Sequence, residues 1–267
     1  MENLFTRYTD SYTVFPFFLI VQHNCLGSWD VFLSLFHSFT ILPHPPLLVA
    51  IQDPASRRSV LPAFPGFISF APPPPGRPRV AIYVSRTLNQ HLSCSTVFHD
   101  SSDMLSVDVS SPEGLFTSPH HSLRVTSVYL LRTNSPPYRS VLPERILSFL
   151  SYPHLVLGDF NLHHPLSDPG RSLSAREFFI ATPYFDAAFD APYHLLNTPG
   201  VYTGFPFDTT SRPSVLDLAF ANTALSPLVS SWDTLLPSTG SDHVPCVITL
   251  RPPAVMLPPP HSTLGPP

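Results

Sequence analysis

Short, nearly continuous apolar runs bounded by proline-rich and polar turns recur along the chain and predict buried β-strands. Phe17 to Val21 reads as the first. Ser28 then stands as a helix N-cap ahead of Val31, Phe32, Leu35, Phe36 and Phe39, whose spacing places them on one helical face. Leu47 to Ile51 follows as a second strand, ended by Gln52, Asp53 and Pro54. Further strands are predicted at Gly66 to Phe70, Val80 to Val84, Met104 to Val109, Leu123 to Leu130, His154 to Leu157, Val215 to Phe220 and Val244 to Leu250. Helices are predicted over Tyr138 to Leu150 and around Leu173 to Ile180. Strands outnumber helices, so the expected architecture is α/β, with two packed sheets and outer helices instead of one doubly wound sheet.

The chain has 267 residues, long enough to bury a substantial core, and 35 are proline, which disfavours an all-helical bundle. Charged residues make up only 12% and apolar ones 43%, the balance of a packed domain and not of a disordered chain. The formal charge of −4 provides no global attraction to nucleic acid or to an anionic membrane, so a phosphate partner must be held locally. All 14 basic residues are arginine, suited to bidentate phosphate contact and to surface pairing alike. Cys25, Cys94 and Cys246 show neither a disulfide framework nor a zinc spacing and favour a reducing compartment. Val14 to Val21, interrupted by Pro16, is too short to span a bilayer and lacks the flanks of a secretory leader. Nucleus or cytoplasm is the expected location. Proline-rich stretches at Pro72 to Pro75 and from Arg251 onward read as a stiff connection and a disordered tail.

Polar groups gather at the ends of the apolar strands: Asn24, Asp53, Tyr129, Gly158-Asp159-Phe160-Asn161, Asp217, and Ser241-Asp242-His243. An acid such as Asp217 inside an apolar run requires a partner. Phosphodiester hydrolysis needs a carboxylate for a divalent ion, a positioned water and stabilisation of charge on the phosphoryl oxygens, and each role has a candidate here. Asp159 and Asn161, two apart, are expected on one strand face. His163-His164 and His120-His121 do not favour zinc, because adjacent residues cannot readily point at one ion. Arg57 and Arg58 are candidates for a nucleic-acid backbone clamp.

Gly158-Asp159-Phe160-Asn161 followed by Ser241-Asp242-His243, with Gln22-His23-Asn24, Gln52-Asp53-Pro54, Tyr129 and Leu216-Asp217-Leu218 in that order, resembles the endonuclease/exonuclease/phosphatase superfamily. Asp159 to Pro165, with Ala50-Ile51-Gln52, is similar to the endonuclease domain of non-LTR retrotransposons, particularly fungal ones. The resemblance covers about residues 15–250, leaving a lead of 1–14 and a tail of 251–267. It implies a four-layer α/β/β/α sandwich and a Mg²⁺-dependent phosphodiesterase, with Mn²⁺ as the alternative ion, that nicks DNA and works with a reverse transcriptase encoded downstream. On that reading Asp53, Asn24 and Asp242 hold the metal. Asp159 orients or deprotonates the attacking water, Asn161 bonds the same phosphate region, and Tyr129 contacts the phosphate or leaving group. His243 bonds a phosphoryl oxygen, oriented by Asp217. The family has glutamate where Asp53 stands, and the tryptophan that often follows His-His-Pro is absent, with Ser167 nearby. A catalytically impaired binding module and a phosphomonoesterase or lipid phosphatase on the same scaffold remain the alternatives.

Overall fold

The computed structural model describes residues 17–42, 45–56, 60–73, 76–86, 92–97, 99, 101–110, 122–131, 141–148, 150–208, 210–235 and 239–251. The chain builds two six-stranded mixed sheets. The first runs in the order β11 (Val229–Thr234), β12 (Cys246–Leu250), β1 (Phe18–Asn24), β2 (Leu48–Gln52), β4 (Val80–Ser85), β3 (Phe67–Phe70). The second runs β5 (Ser93–Val97), β6 (Met104–Ser110), β7 (Ser122–Tyr129), β8 (His154–Asp159), β10 (Asp217–Asn222), β9 (Tyr193–Leu195). Each has one parallel pair at its centre, β1 with β2 and β7 with β8, and antiparallel neighbours on either side.

Strand alternation generates the layers, because successive side chains face opposite sides of a sheet. Phe18 and Ile20 of β1, Leu48 and Ala50 of β2, Leu155 and Leu157 of β8, and Ala219 and Ala221 of β10 meet in the core between the sheets. The alternate residues face outward. Val21, Val49 and Ala81 pack under α1 (Trp29–Ser38), through its buried Val31, Phe32, Leu35 and Phe36. Val156 and Phe220 pack under α3 (Ala175–Asp190), through Ala181, Tyr184, Phe185 and Ala188. The result is the expected α/β/β/α order.

Both helix starts follow from capping. Ser28 Oγ accepts from the Val31 amide at 3.3 Å. Ser174 and Glu177 form a reciprocal capping box. The second helix runs ten residues beyond the predicted Ile180, past Pro183, because its buried positions keep helical spacing across the proline. The predicted helix over Tyr138 to Leu150 is a single turn, α2 (Pro143–Ile146), with residues 138–140 outside the described set. The amides of Ile146 and Leu147 close back on Leu142 and Pro143, and the backbone leaves helical geometry at Leu147. Pattern reading missed β5, β9 and β11. All three are edge strands, where polar alternation dilutes the apolar run. The lead, the tail beyond Arg251, Arg57, Arg58, His120 and His121 also lie outside the described residues.

Two positions generate predictions. A Cβ on Gly158 would lie 1.9 Å from the Val128 carbonyl oxygen, its partner across the central β7–β8 pair. Gly158→Ala is expected to destabilise the fold by more than about 4 kcal/mol, the range of a severe core clash, measured by urea denaturation. His154 is buried, shares hydrogen bonds with Thr126 and Tyr193, and is pushed down to about 3, chiefly by burial and then by the charges of Arg124 and His99. The unfolded chain therefore takes up a proton below about pH 6.5 that the folded chain refuses, and stability falls as pH drops, by about 1.4 kcal/mol per pH unit from this residue alone. His154→Gln should flatten the dependence of melting temperature on pH between 6.5 and 4, and an unchanged slope would contradict this assignment.

Candidate active site

The inter-sheet face of four strands turns from apolar to polar at one end of the sandwich. Along β1 the inward residues run Phe18, Ile20, Gln22, Asn24, and along β2 they run Leu48, Ala50, Gln52. On the opposing sheet β7 ends in Ser127 and Tyr129, β8 ends in Asp159, and β10 begins with Asp217. Register brings the latter together: Tyr129 and Asp217 are the Cα partners of Asp159 on either side.

Buried polar groups at this edge are paired across the gap between the sheets. Gln22 Nε2 donates to Asp217 Oδ1 at 2.9 Å, Asn24 Nδ2 to Asp159 Oδ2 at 2.8 Å, and Gln52 Nε2 to Ser127 Oγ at 2.9 Å. His243 Nδ1 donates to Asp217 Oδ2 at 2.7 Å, and its Nε2 lies 3.8 Å from both Asp159 Oδ2 and Asp242 Oδ1. Ser241 fixes the approach of that segment, donating through Oγ to the Asn24 carbonyl at 2.8 Å and accepting from the His243 amide at 3.0 Å. Asp217 is anchored through its backbone, its amide donating to Thr203 Oγ1 at 3.0 Å and its carbonyl accepting from Asn197 at 2.8 Å.

Asn161 reaches Asp159 by a different route from the one its spacing predicts. β8 ends at Asp159, and Asn161 takes a left-handed conformation with φ of 48°. Its amide donates to Asp159 Oδ1 and its Nδ2 to Asp159 Oδ2, both at 3.0 Å, so the two side chains converge through an Asx turn and not through a shared strand face.

The electrostatics favour proton transfer. Burial raises the Asp159 carboxyl well above the usual range, and the Asp217 charge adds to the shift; His243 and the donated hydrogen bonds oppose it. For His243, burial alone would lower the imidazole, but the charges of Asp217, Asp159 and Asp242 outweigh it and push it up to about 10. Asp159, Asp217 and His243 form one buried cluster whose ligand atoms lie within 4.8 Å of one another, and among the described residues it is the group with the geometry of a metal-binding set.

Asp53 follows β2 with φ of 43°, and its Oδ1 lies 3.3 Å from Arg77 Nη2 and 3.6 Å from Arg79 Nε. Arg79 also stacks its guanidinium over the Tyr129 ring, 4.4 Å from the centroid. Tyr129 is half-buried and packs against the inter-sheet core, and burial raises its hydroxyl. Asp242 Oδ1 is buried and has no hydrogen-bond partner among the described residues. His164 serves packing, stacked 3.9 Å from Phe185 with Phe178 5.8 Å away. Gln22, Gln52, Arg77 and Arg79 were not among the residues read as functional. The first two carried a signal, since each is a polar side chain inside an otherwise apolar strand.

Two mixed sheets flanked by helices thus carry an Asp-His-Asn cluster at one edge. The chain has a DNase-like fold of two packed six-stranded mixed sheets with outer helices. Residues 123–247 match the family model for endonuclease-reverse transcriptase. No curated protein matches. Among solved structures the chain is similar to the endonuclease domain of TRAS1, a telomere-specific non-LTR retrotransposon, with 16% identity, a TM-score of 0.65, and 88% of this chain and 98% of that one covered. AP endonuclease LMAP from Leishmania major gives 15% identity and a TM-score of 0.66, covering 89% of each chain. The 3′-5′ exonuclease NExo from Neisseria meningitidis gives 14% and 0.59, covering 87% of this chain and 99% of that one.

Proposed function

We propose that the chain is a phosphodiesterase that nicks DNA, the endonuclease domain of a non-LTR retrotransposon, spanning residues 15–250 and partnered by a reverse transcriptase. The observation that supports this most strongly is the convergence of Asp159 with the His243–Asp217 pair at 3.8 Å and 2.7 Å on one strand-end edge.

Asp159 acts as the base for the attacking water. Burial keeps its proton affinity high enough to accept a proton near neutral pH, while Asn24 and Asn161 fix both oxygens in place. His243 presents Nε2 to a phosphoryl oxygen as a charged donor, because Asp217 holds Nδ1 and Gln22 holds the far oxygen of Asp217. Tyr129, one strand over from Asp159, contacts the phosphate or leaving group.

The orphaned Asp242 Oδ1 fits a hard, oxygen-ligated ion such as Mg²⁺ or Mn²⁺. Asp242 and Asn24 would hold it, and Asp53 has only Oδ2 left beside its arginines. The ion would supply positive charge to the phosphoryl oxygens. No helix among the described residues is long and apolar enough to cross a membrane.

The test is divalent-dependent nicking of supercoiled plasmid. Asp159→Asn and His243→Ala should each lower turnover at least about a hundredfold while leaving the fold intact by circular dichroism, as expected for groups that move protons or stabilise charge. Variants nicking at wild-type rates would remove this mechanism. Hydrolysis of soluble phosphomonoesters without plasmid nicking would assign the scaffold to a phosphatase instead.

A further inference from the structure

The lobe around Asp53 holds more positive charge than its carboxylate can balance. Arg77 and Arg79 both face the same oxygen, Oδ1, so two cations meet one anion in a chain whose formal charge is −4. A surface ion pair of this kind contributes little to stability, and one arginine would suffice for it. The second guanidinium is not needed to neutralise Asp53 and stands beside the strand-end edge.

Both guanidiniums are built in. The Asp53 amide donates to the Arg79 carbonyl at 2.8 Å, and the Arg79 amide to the Ser102 carbonyl at 3.1 Å, which locks the start of β4 against the end of β2. Arg79 lies between Asp53 and the ring of Tyr129, and its buried Nε, 3.6 Å from Asp53 Oδ1, makes no hydrogen bond among the described residues. Tyr129 is the strand neighbour of Asp159. Arg77 Nη2 also donates to the Pro54 carbonyl at 3.2 Å, in space that exists because residue 27 is glycine: a Cβ there would lie 2.5 Å from that nitrogen. The Arg77 and Arg79 side chains keep 50% and 26% exposure, so a ligand can reach them.

Resting on the nuclease reading above, we propose that Arg79 and Arg77 form a phosphate subsite that takes a phosphodiester of the nucleic-acid strand beside Asp159, with Asp53 positioning the guanidiniums. Planar, fixed guanidiniums recognise phosphate oxygens through paired charged hydrogen bonds. This contact needs no divalent ion, so strand binding persists when metals are chelated.

The test is fluorescence anisotropy of a labelled DNA oligonucleotide with the full chain in EDTA. Wild type should bind. Arg79→Ala should weaken binding at least about tenfold and reduce the slope of log affinity against log salt by about one, as for loss of one phosphate contact. Arg176→Ala, at an exposed position on α3, removes the same charge and should change neither quantity. If Arg79→Ala fails to fold by its melting curve, the closely matched Arg79→Gln replaces it. Unchanged affinity in a folded Arg79 variant, or wild-type binding only with added Mg²⁺, overturns the subsite; plasmid nicking by wild type would then leave the nuclease reading standing. No DNA binding and no nicking under any condition overturns both. Inorganic phosphate bound as tightly as the oligonucleotide, by calorimetry, overturns the commitment to a strand.

Discussion

The arrangement depends on one constraint: at a single edge of the sandwich, polar side chains face each other across an interface otherwise filled by apolar ones. An unpaired polar group there would cost about 1–3 kcal/mol, and the side-chain amides of three strand-end residues are each tied to the opposite sheet. Gln22 to Asp217, Asn24 to Asp159 and Gln52 to Ser127 are those ties. They stitch the sheets together and at the same time fix two carboxylates in orientation. Stability and site geometry are therefore the same set of hydrogen bonds, and loosening one element of the edge disturbs the others.

Topology explains why one edge collects so many functional groups. In a parallel pair both strands deliver their carboxyl ends to the same side, so β1 with β2 brings Asn24 and Asp53, while β7 with β8 brings Tyr129 and Asp159. The antiparallel neighbours β4, β10 and β12 present their starts at that side, bringing Arg79, Asp217 and, just ahead of β12, His243. Seven strands thus supply the site from both ends of the chain, and a change in the register of any central pair would shift one group relative to the rest by a strand residue, about 3.3 Å.

Much of this was legible before any coordinates. The apolar runs located the eight inner strands, most of them buried on both faces, and the edge strand β3 through its Phe-Ile-Ser-Phe run, and Gly158-Asp159-Phe160-Asn161 with Ser241-Asp242-His243 pointed to the two halves of the candidate site. What pattern reading lost has physical causes. β5, β9 and β11 sit at sheet edges with mixed exposure. The turn at Asn161 depends on a positive φ that spacing alone does not reveal. Arg77 and Arg79 follow a proline-rich connection, and nothing local to them announces that the chain folds back onto a carboxylate 24 residues earlier in the case of Arg77.

Backbone strain sharpens the same point. Leu26, Asp53 and Asn161 all adopt positive φ immediately after strands that end at the site, and conformations of this kind cost roughly 1 kcal/mol or more for residues other than glycine. Each is held by specific bonds: the Leu26 amide donates to Asn24 Oδ1 at 2.9 Å, the Asp53 carbonyl accepts from Gly27 at 2.7 Å, and the Asn161 amide donates to Asp159 Oδ1 at 3.0 Å. In all three places the strained residue turns the chain sharply at a strand end whose polar side chain takes part in the edge cluster or its arginine pair. The strain is thus concentrated where orientation matters, around Asn24, Asp53 and Asp159, and the buried apolar interface behind them supplies the stability that tolerates it.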